Sequence, residues 1–197
     1  MTAARRRRLW LIGVWCAAAA ATGCAGRVND GMWQRFAGWA AASAIGAGIS
    51  GSSWLFAAIE SLHLAGLAVL GGAVILVDLS LLGLALGDEP LPRLSRDAEP
   101  WLLAGLIVTV ASGTLLFLSE ATKFYSAGFW DSAEAPFVAK MVFLAAAVVF
   151  TFTVRRRILR ASDRLAGPPS LRDRLVAMTS LLLWLGVGVG GRAIGFY

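Results

Sequence analysis

The sequence predicts an all-α integral membrane protein: a helical bundle with a four-helix core, preceded by one further N-terminal segment. Three observations predict it. Of 197 residues, 58% are hydrophobic and only 15% charged, against roughly 45–50% and about 25% in an ordinary soluble domain. Mean hydropathy is +0.71. The apolar residues gather into five runs of 17 residues or more, close to the ~20 that cross a bilayer. None of these runs alternates as a strand does. A helix satisfies its own backbone in lipid, so helices are the spanning assignment.

The first run covers residues 9–25, behind Arg5, Arg6, Arg7 and Arg8. A basic stretch followed by an apolar one has the outline of a secretory signal peptide. Ala21-Thr22-Gly23-Cys24 also resembles a lipoprotein signal, with Cys24 as the residue lipidated after cleavage. An uncleaved, Ala-rich signal anchor is the third reading. Residues 1–26 are therefore a signal peptide or signal-anchor helix, and each reading puts residue 27 on the outer side.

Residues 27–53 form the next unit, an outer amphipathic segment lying in the membrane interface. Trp33, Phe36, Trp39 and Ile45 are spaced 3, 3 and 6 residues apart, which places them on one helix face. The glycine- and serine-rich run at 46–53 is expected to break that helix, with Ser52 or Ser53 capping the next. Trp54 then opens the bundle, residues 54–197, at the level of an aromatic belt. Its four apolar runs are 54–86, 101–118, 137–154 and 175–191.

Orientation follows from the basic residues. With the N-terminus inside, 13 Lys and Arg fall on the inner side, seven of them between Arg155 and Arg174. Four fall outside, namely Arg27, Arg35, Lys123 and Arg192. That asymmetry predicts a cytoplasmic N-terminus, a periplasmic C-terminus and a bacterial inner membrane. The net charge of +6 and pI of about 10.3 accordingly point to lipid headgroups as partner. No nucleic-acid-binding motif accompanies the charge, so nucleic acid is not an expected partner.

Ionisable side chains at membrane depth are the candidate functional residues, because each costs roughly 2.5–3.5 kcal/mol to insert. Glu60 and His63, the lone histidine, are three apart on one helix face, within reach of a carboxylate–imidazole hydrogen bond. Lys140 and Arg192 fall at the same outer level, so Glu60, His63, Lys140 and Arg192 form a candidate ligand-binding polar cluster on the outer side. Two plainer readings stand beside it: Lys140 and Arg192 snorkel to the headgroups, and Glu60 and His63 merely tie helices together. Asp78 lies 15 residues beyond His63, about 22 Å along the helix, and belongs to the inner side. It is expected to act as a cap or to pair with Arg93, Arg96 or the basic stretch 155–174.

Gly66, Gly71 and Gly72 in the second run, and Gly186, Gly188, Gly190 and Gly191 in the fifth, signal close helix packing. Gly186 and Gly190 form a GxxxG, read first as a contact within the bundle and second as a homo-oligomer face. Cys16 and Cys24 form no CxxC or zinc pattern, so no metal site is expected.

Two stretches carry a family resemblance. The first is Trp54-Leu-Phe-Ala-Ala-Ile-Glu60-Ser-Leu-His63-Leu-Ala-Gly, continuing to Val77-Asp78-Leu-Ser80-Leu-Leu-Gly83. The second is Leu183-Trp184-Leu-Gly with Gly190-Gly191-Arg192-Ala-Ile-Gly-Phe-Tyr197. Together, over residues 38–197, they resemble an uncharacterised family of small bacterial membrane proteins, a four-helix domain of unknown function. That family's pattern couples Glu-x-x-His to Asp-Leu-Arg-Leu-Leu-Gly on one long helix, with a Gly-Arg near the C-terminus. Pro136-Phe137-x-x-Lys140 fits it too. This chain departs at Ser80, where the family usually has Arg. More distantly the layout is similar to copper-resistance protein D and cytochrome b561-like bundles, which use several histidines for copper or haem. The resemblance implies a fold and brings no activity.

Three functional readings follow. The leading one is a non-enzymatic membrane component that binds a partner protein or a small ligand at the outer polar site. The second is an electron-transfer subunit holding haem b or a quinone, with His63 as one axial ligand and Met141 or Met178 as the other. The third is a small proton-coupled transporter that uses Glu60 and His63 as titrating groups. Enzyme catalysis is not expected, since no catalytic nucleophile or phosphate-binding loop is marked.

Overall fold

The computed structural model describes residues 30–85, 90–124, 133–162 and 169–196. The signal or anchor segment, with Cys16 and the lipidation candidate Cys24, lies outside the described residues. Within them the chain is helical: α1 (Asp30–Ala41), α2 (Ala44–Ser50), α3 (Ser53–Leu81), α4 (Leu91–Ser119), a 3-10 turn (Ala121–Phe124), α5 (Glu134–Phe150), a π turn (Thr151–Arg155), α6 (Arg156–Ser162) and α7 (Leu171–Ile194). Four rods are long and apolar enough to cross a membrane: α3, α4, the continuous Glu134–Leu159 and α7.

Apolar side chains cover the outside of the bundle as well as filling its core, and several polar ones lie inside. Leu64, Ile107, Val149 and Leu185 face outward, while His63, Asp78, Ser112, Arg155 and Ser180 are buried. Only an apolar surrounding makes that arrangement favourable.

The helix ends follow local chemistry. Ser52 caps α3, its hydroxyl accepting from Leu55 N–H at 3.3 Å. Gly83, at φ 74°, closes the turn after α3, so the helix stops at Leu81, short of the apolar run's end. In α4 the helix begins at Leu91, ten residues ahead of the apolar run, with a proline in its first turn. Ser170 and Asp173 form a capping box at the start of α7.

Packing is built on small residues at intervals of three and four. α3 buries His63, Gly66, Leu70, Val74, Val77 and Leu81, and α4 buries Ala98, Leu102, Gly105, Thr109 and Ser112. This is the seam of a closely paired helix hairpin. A Cβ on Gly105 would sit 2.6 Å from Leu70 N, and one on Gly66 2.8 Å from Thr109 Oγ1, so the two backbones touch. The rod Glu134–Leu159 pairs with α7 in the same way. Gly186 lies under the Phe143 ring and Gly190 against Lys140, which makes the GxxxG a contact inside the bundle. Gly71, Gly72 and Gly188, by contrast, have no neighbour within 4 Å; they face outward and are not packing positions. α3 also contacts α7, joining the two pairs.

The outer segment differs from expectation in where its helix breaks. The chain bends at Ala42-Ser43, where the Ser43 hydroxyl accepts from Gly46 N–H at 3.0 Å, so Gly46 and Gly48 lie inside α2 instead of breaking a helix. The face turned to the bundle carries Ala37, Ala40 and Ile49, while Trp39 is 65% and Ile45 59% exposed. Small residues let α1 and α2 lie close on the end of α4, where Gly46 meets the Leu118 carbonyl. The larger side chains then turn outward. Phe36 stacks on Phe117 at 5.7 Å and links this cap to Phe124 and Phe137.

Candidate functional site

Two buried polar centres stand at different depths. At the basic end of the bundle, Arg155 Nε donates to Asp78 Oδ1 at 2.7 Å. The side chains are 5% and 0% exposed. Nη2 of Arg155 reaches the Val74 carbonyl at 3.5 Å. The π turn places this arginine: it buries both Thr151 and Arg155, and π turns recur where a helix must re-aim a side chain. Trp184 Nε1 of α7 donates to Thr151 Oγ1 at 3.3 Å, fixing the turn from the other side. From α7 the Ser180 hydroxyl interacts with the Asp78 carboxylate. Its geometry stops short of a closed bond, and both Asp78 Oδ2 and Ser180 Oγ are buried without a hydrogen-bond partner.

Asp78 was expected to cap a helix or to find Arg93, Arg96 or the basic stretch 155–174. Its partner is Arg155, which sits inside the membrane rod and not in a loop. Arg93 approaches Asp97 at 4.0 Å on the exposed surface, and Arg96 Nε donates to the Pro92 carbonyl. Ser80, at the family's arginine position, donates back to Leu76 O at 2.9 Å. The Asp–Arg pair is thus supplied by another helix. Ser180 and Thr151 carried no signal in the sequence beyond being polar in apolar runs.

The second centre is His63, nearer the opposite end of α3. Its Nδ1 lies 3.0 Å from Ser112 Oγ of α4. The Ser112 hydroxyl donates to Val108 O at 2.6 Å, so its oxygen accepts from Nδ1–H and the lone pair resides on Nε2. Gly113 makes room for the ring, since a Cβ there would meet Cε1 at 3.0 Å. The backbone of Thr109, one turn before Gly113 on α4, also lies within hydrogen-bonding range of the ring.

Glu60 is exposed one turn outward on α3, and His63 bonds Ser112 and not Glu60. Lys140 lays its stem over Gly190 and Gly191. Both Glu60 and Lys140 lie within electrostatic range of the imidazole. Arg192 is elsewhere engaged, its guanidinium 4.8 Å over the Phe196 ring. Among the described residues no ion pair joins these four groups. The tertiary structure therefore gathers Glu60, His63 and Lys140 loosely and leaves Arg192 at the end of α7.

The residues present do not fit an axial His/Met pair for haem. Met178 sits two positions from Ser180, which faces Asp78, about 22 Å from His63 along α3. Met141 is 44% exposed and turns away from the bundle. Among the described residues no group of three His, Cys, Asp or Glu side chains is placed to hold a metal ion.

Residues 36–197 match the family described as Family of unknown function (DUF6644). No curated protein and no solved structure matches the chain, so nothing supports the wider likeness to copper-resistance protein D or cytochrome b561.

Proposed function

We propose that this chain, which belongs to the DUF6644 family of unknown function, is a non-enzymatic multi-pass membrane component that holds a small polar ligand at the notch around His63. One observation carries the reading: the imidazole is pinned through Nδ1 to Ser112, whose own hydroxyl proton goes to Val108 O, so the ring lone pair falls on Nε2. A ring held by one nitrogen offers the other as an oriented acceptor. Exposed Glu60 adds a second acceptor for a ligand's donors, and the Lys140 ammonium nearby adds a donor for an acceptor on the same ligand. The 13-to-4 distribution of basic residues supports placing this notch on the periplasmic side of a bacterial inner membrane. The haem alternative lacks a second axial ligand facing His63, since Met141 turns outward and Met178 lies toward the Asp78 end.

The test is extraction of the full chain in polymer-bounded native-lipid discs, followed by mass spectrometry of the retained small molecules. A species held by the wild type and lost from both His63→Ala and Glu60→Gln is the expected result. Identical complements in all three would overturn the proposal.

A further inference from the structure

The described residues line a cavity of about 30 Å3 between α3, α4 and the junction of the π turn with α6. It lies at the basic end, far from the His63 notch. Arg155, Arg156 and Glu99 all line it, Ser95 and Thr151 add hydroxyls, and the rest of the wall is apolar and includes Phe152. Arg155 is committed through Nε to Asp78. Arg156 is divided: Nη2 holds Glu99 at 2.8 Å, whereas its Nε is buried with no hydrogen-bond partner. A guanidinium N–H left without an acceptor away from water is costly, and Arg156 is one of the residues that line the cavity.

Size and level narrow the occupant. A water-sized site needs ~10–15 Å3, so this cavity admits about two oxygen atoms and not a whole headgroup. Trp101, two residues beyond Glu99, is 65% exposed, the posture of an aromatic at the membrane interface. The geometry points to a binding site for a phosphate oxyanion, presented at this depth by a phospholipid. Its two non-bridging oxygens enter the cavity, accepting from Arg156 Nε and from the edge of Arg155 not turned to Asp78. The glycerol and acyl chains remain outside against the apolar wall. Glu99 gives way, because its pair with Arg156 is half-exposed, at 35% and 44% of the side chains, and such pairs are weak. A fork-shaped guanidinium–phosphate contact is charge-assisted and replaces it. Basic notches between membrane helices suit lipid phosphates in this way. The site is independent of the His63 reading.

The full chain in detergent is titrated with dioleoylphosphatidylglycerol, with phosphate-free dioleoylglycerol and with inorganic phosphate. Lipid retention is read by native mass spectrometry and phosphate binding by thermal shift. Phosphatidylglycerol should be retained and dioleoylglycerol not. Arg156→Ala should weaken phosphatidylglycerol binding about tenfold, the worth of a charge-assisted bond, while Arg174→Ala, exposed at the same end, should leave it unchanged. Glu99→Gln, which frees Arg156, should bind several-fold more tightly. Stabilisation by inorganic phosphate alone, lost in Arg156→Ala, would keep the oxyanion site and make its source soluble. Equal behaviour of Arg156→Ala and Arg174→Ala towards both probes, or weaker binding by Glu99→Gln, would overturn the assignment and leave a cavity that holds water.

Discussion

Arg155 and Asp78, 77 positions apart in sequence, meet at 2.7 Å in the interior of the bundle. The two charges are withdrawn from the surface, with 5% and 0% of the side chains exposed. The pair fixes the rotation of two rods at once. Arg155 faces α3 only because of the π turn, and Asp78 faces Arg155 only because Val74, Val77 and Leu81 bury the same side of α3.

Breaking this pair should be more damaging than deleting it. Arg155→Ala or Asp78→Ala alone leaves a buried charge unmatched, and each is expected to lose about 3–5 kcal/mol. The double replacement Asp78→Leu with Arg155→Leu should recover most of that loss. Reversible unfolding in mixed micelles measures all three, and an Arg155→Ala protein as stable as the wild type would refute the buried-pair account.

The His63 tautomer is open to direct observation, because the chain has one histidine. Selective 15N labelling should show a protonated Nδ1 and an unprotonated Nε2 at neutral pH, as the Ser112–Val108 bond requires. Ser112→Ala should cost about 1 kcal/mol and mix the tautomers. A wild-type signal from Nε2–H would contradict the geometry.

Glycine positions should divide sharply. Gly105→Ala pushes a Cβ into the Leu70 backbone and should destabilise by about 1–3 kcal/mol. Gly72→Ala, with open space around it, should be neutral or stabilising by about 0.5–1 kcal/mol. Thermal melts of the two variants decide the matter, and equal losses would mean that the α3–α4 seam is misplaced.

Purified protein expressed with ample haem should show no stoichiometric Soret band, oxidised or dithionite-reduced, because Met141 turns outward and Met178 lies toward the Asp78 end. A band abolished by His63→Ala would instead establish haem and call for a ligand beyond Met141 and Met178.

The proposed orientation predicts that a periplasmic reporter fused after Tyr197 is active and that one inserted in the 163–168 connection is silent. The reverse pattern would invert the bundle.

Much of the architecture was legible in the sequence. Hydropathy is summed locally, so runs such as 137–154 identify spans before any packing is known, and Ser52 announces its cap through its neighbours alone. The boundaries were less legible, because α4 extends through polar residues whose helicity depends on capping and tertiary support. Trp39 and Ile45 are exposed, and Ala37, Ala40 and Ile49 face the bundle. Spacing shows which residues share a face, but not whether lipid or protein lies against it.

What the sequence alone determined is the class of the molecule: four apolar rods, their charge asymmetry and the presence of ionisable groups at depth. These depend on composition along the chain. What only the tertiary structure decided is pairing. Asp78 had several arginines within plausible reach, and His63 had Glu60 three residues away. The choices of Arg155 and Ser112 came from which helices adjoin and how each is rotated. Those rotations are set by where glycine lets backbones touch and by a single π turn, relationships that exist between segments and are written in none of them separately.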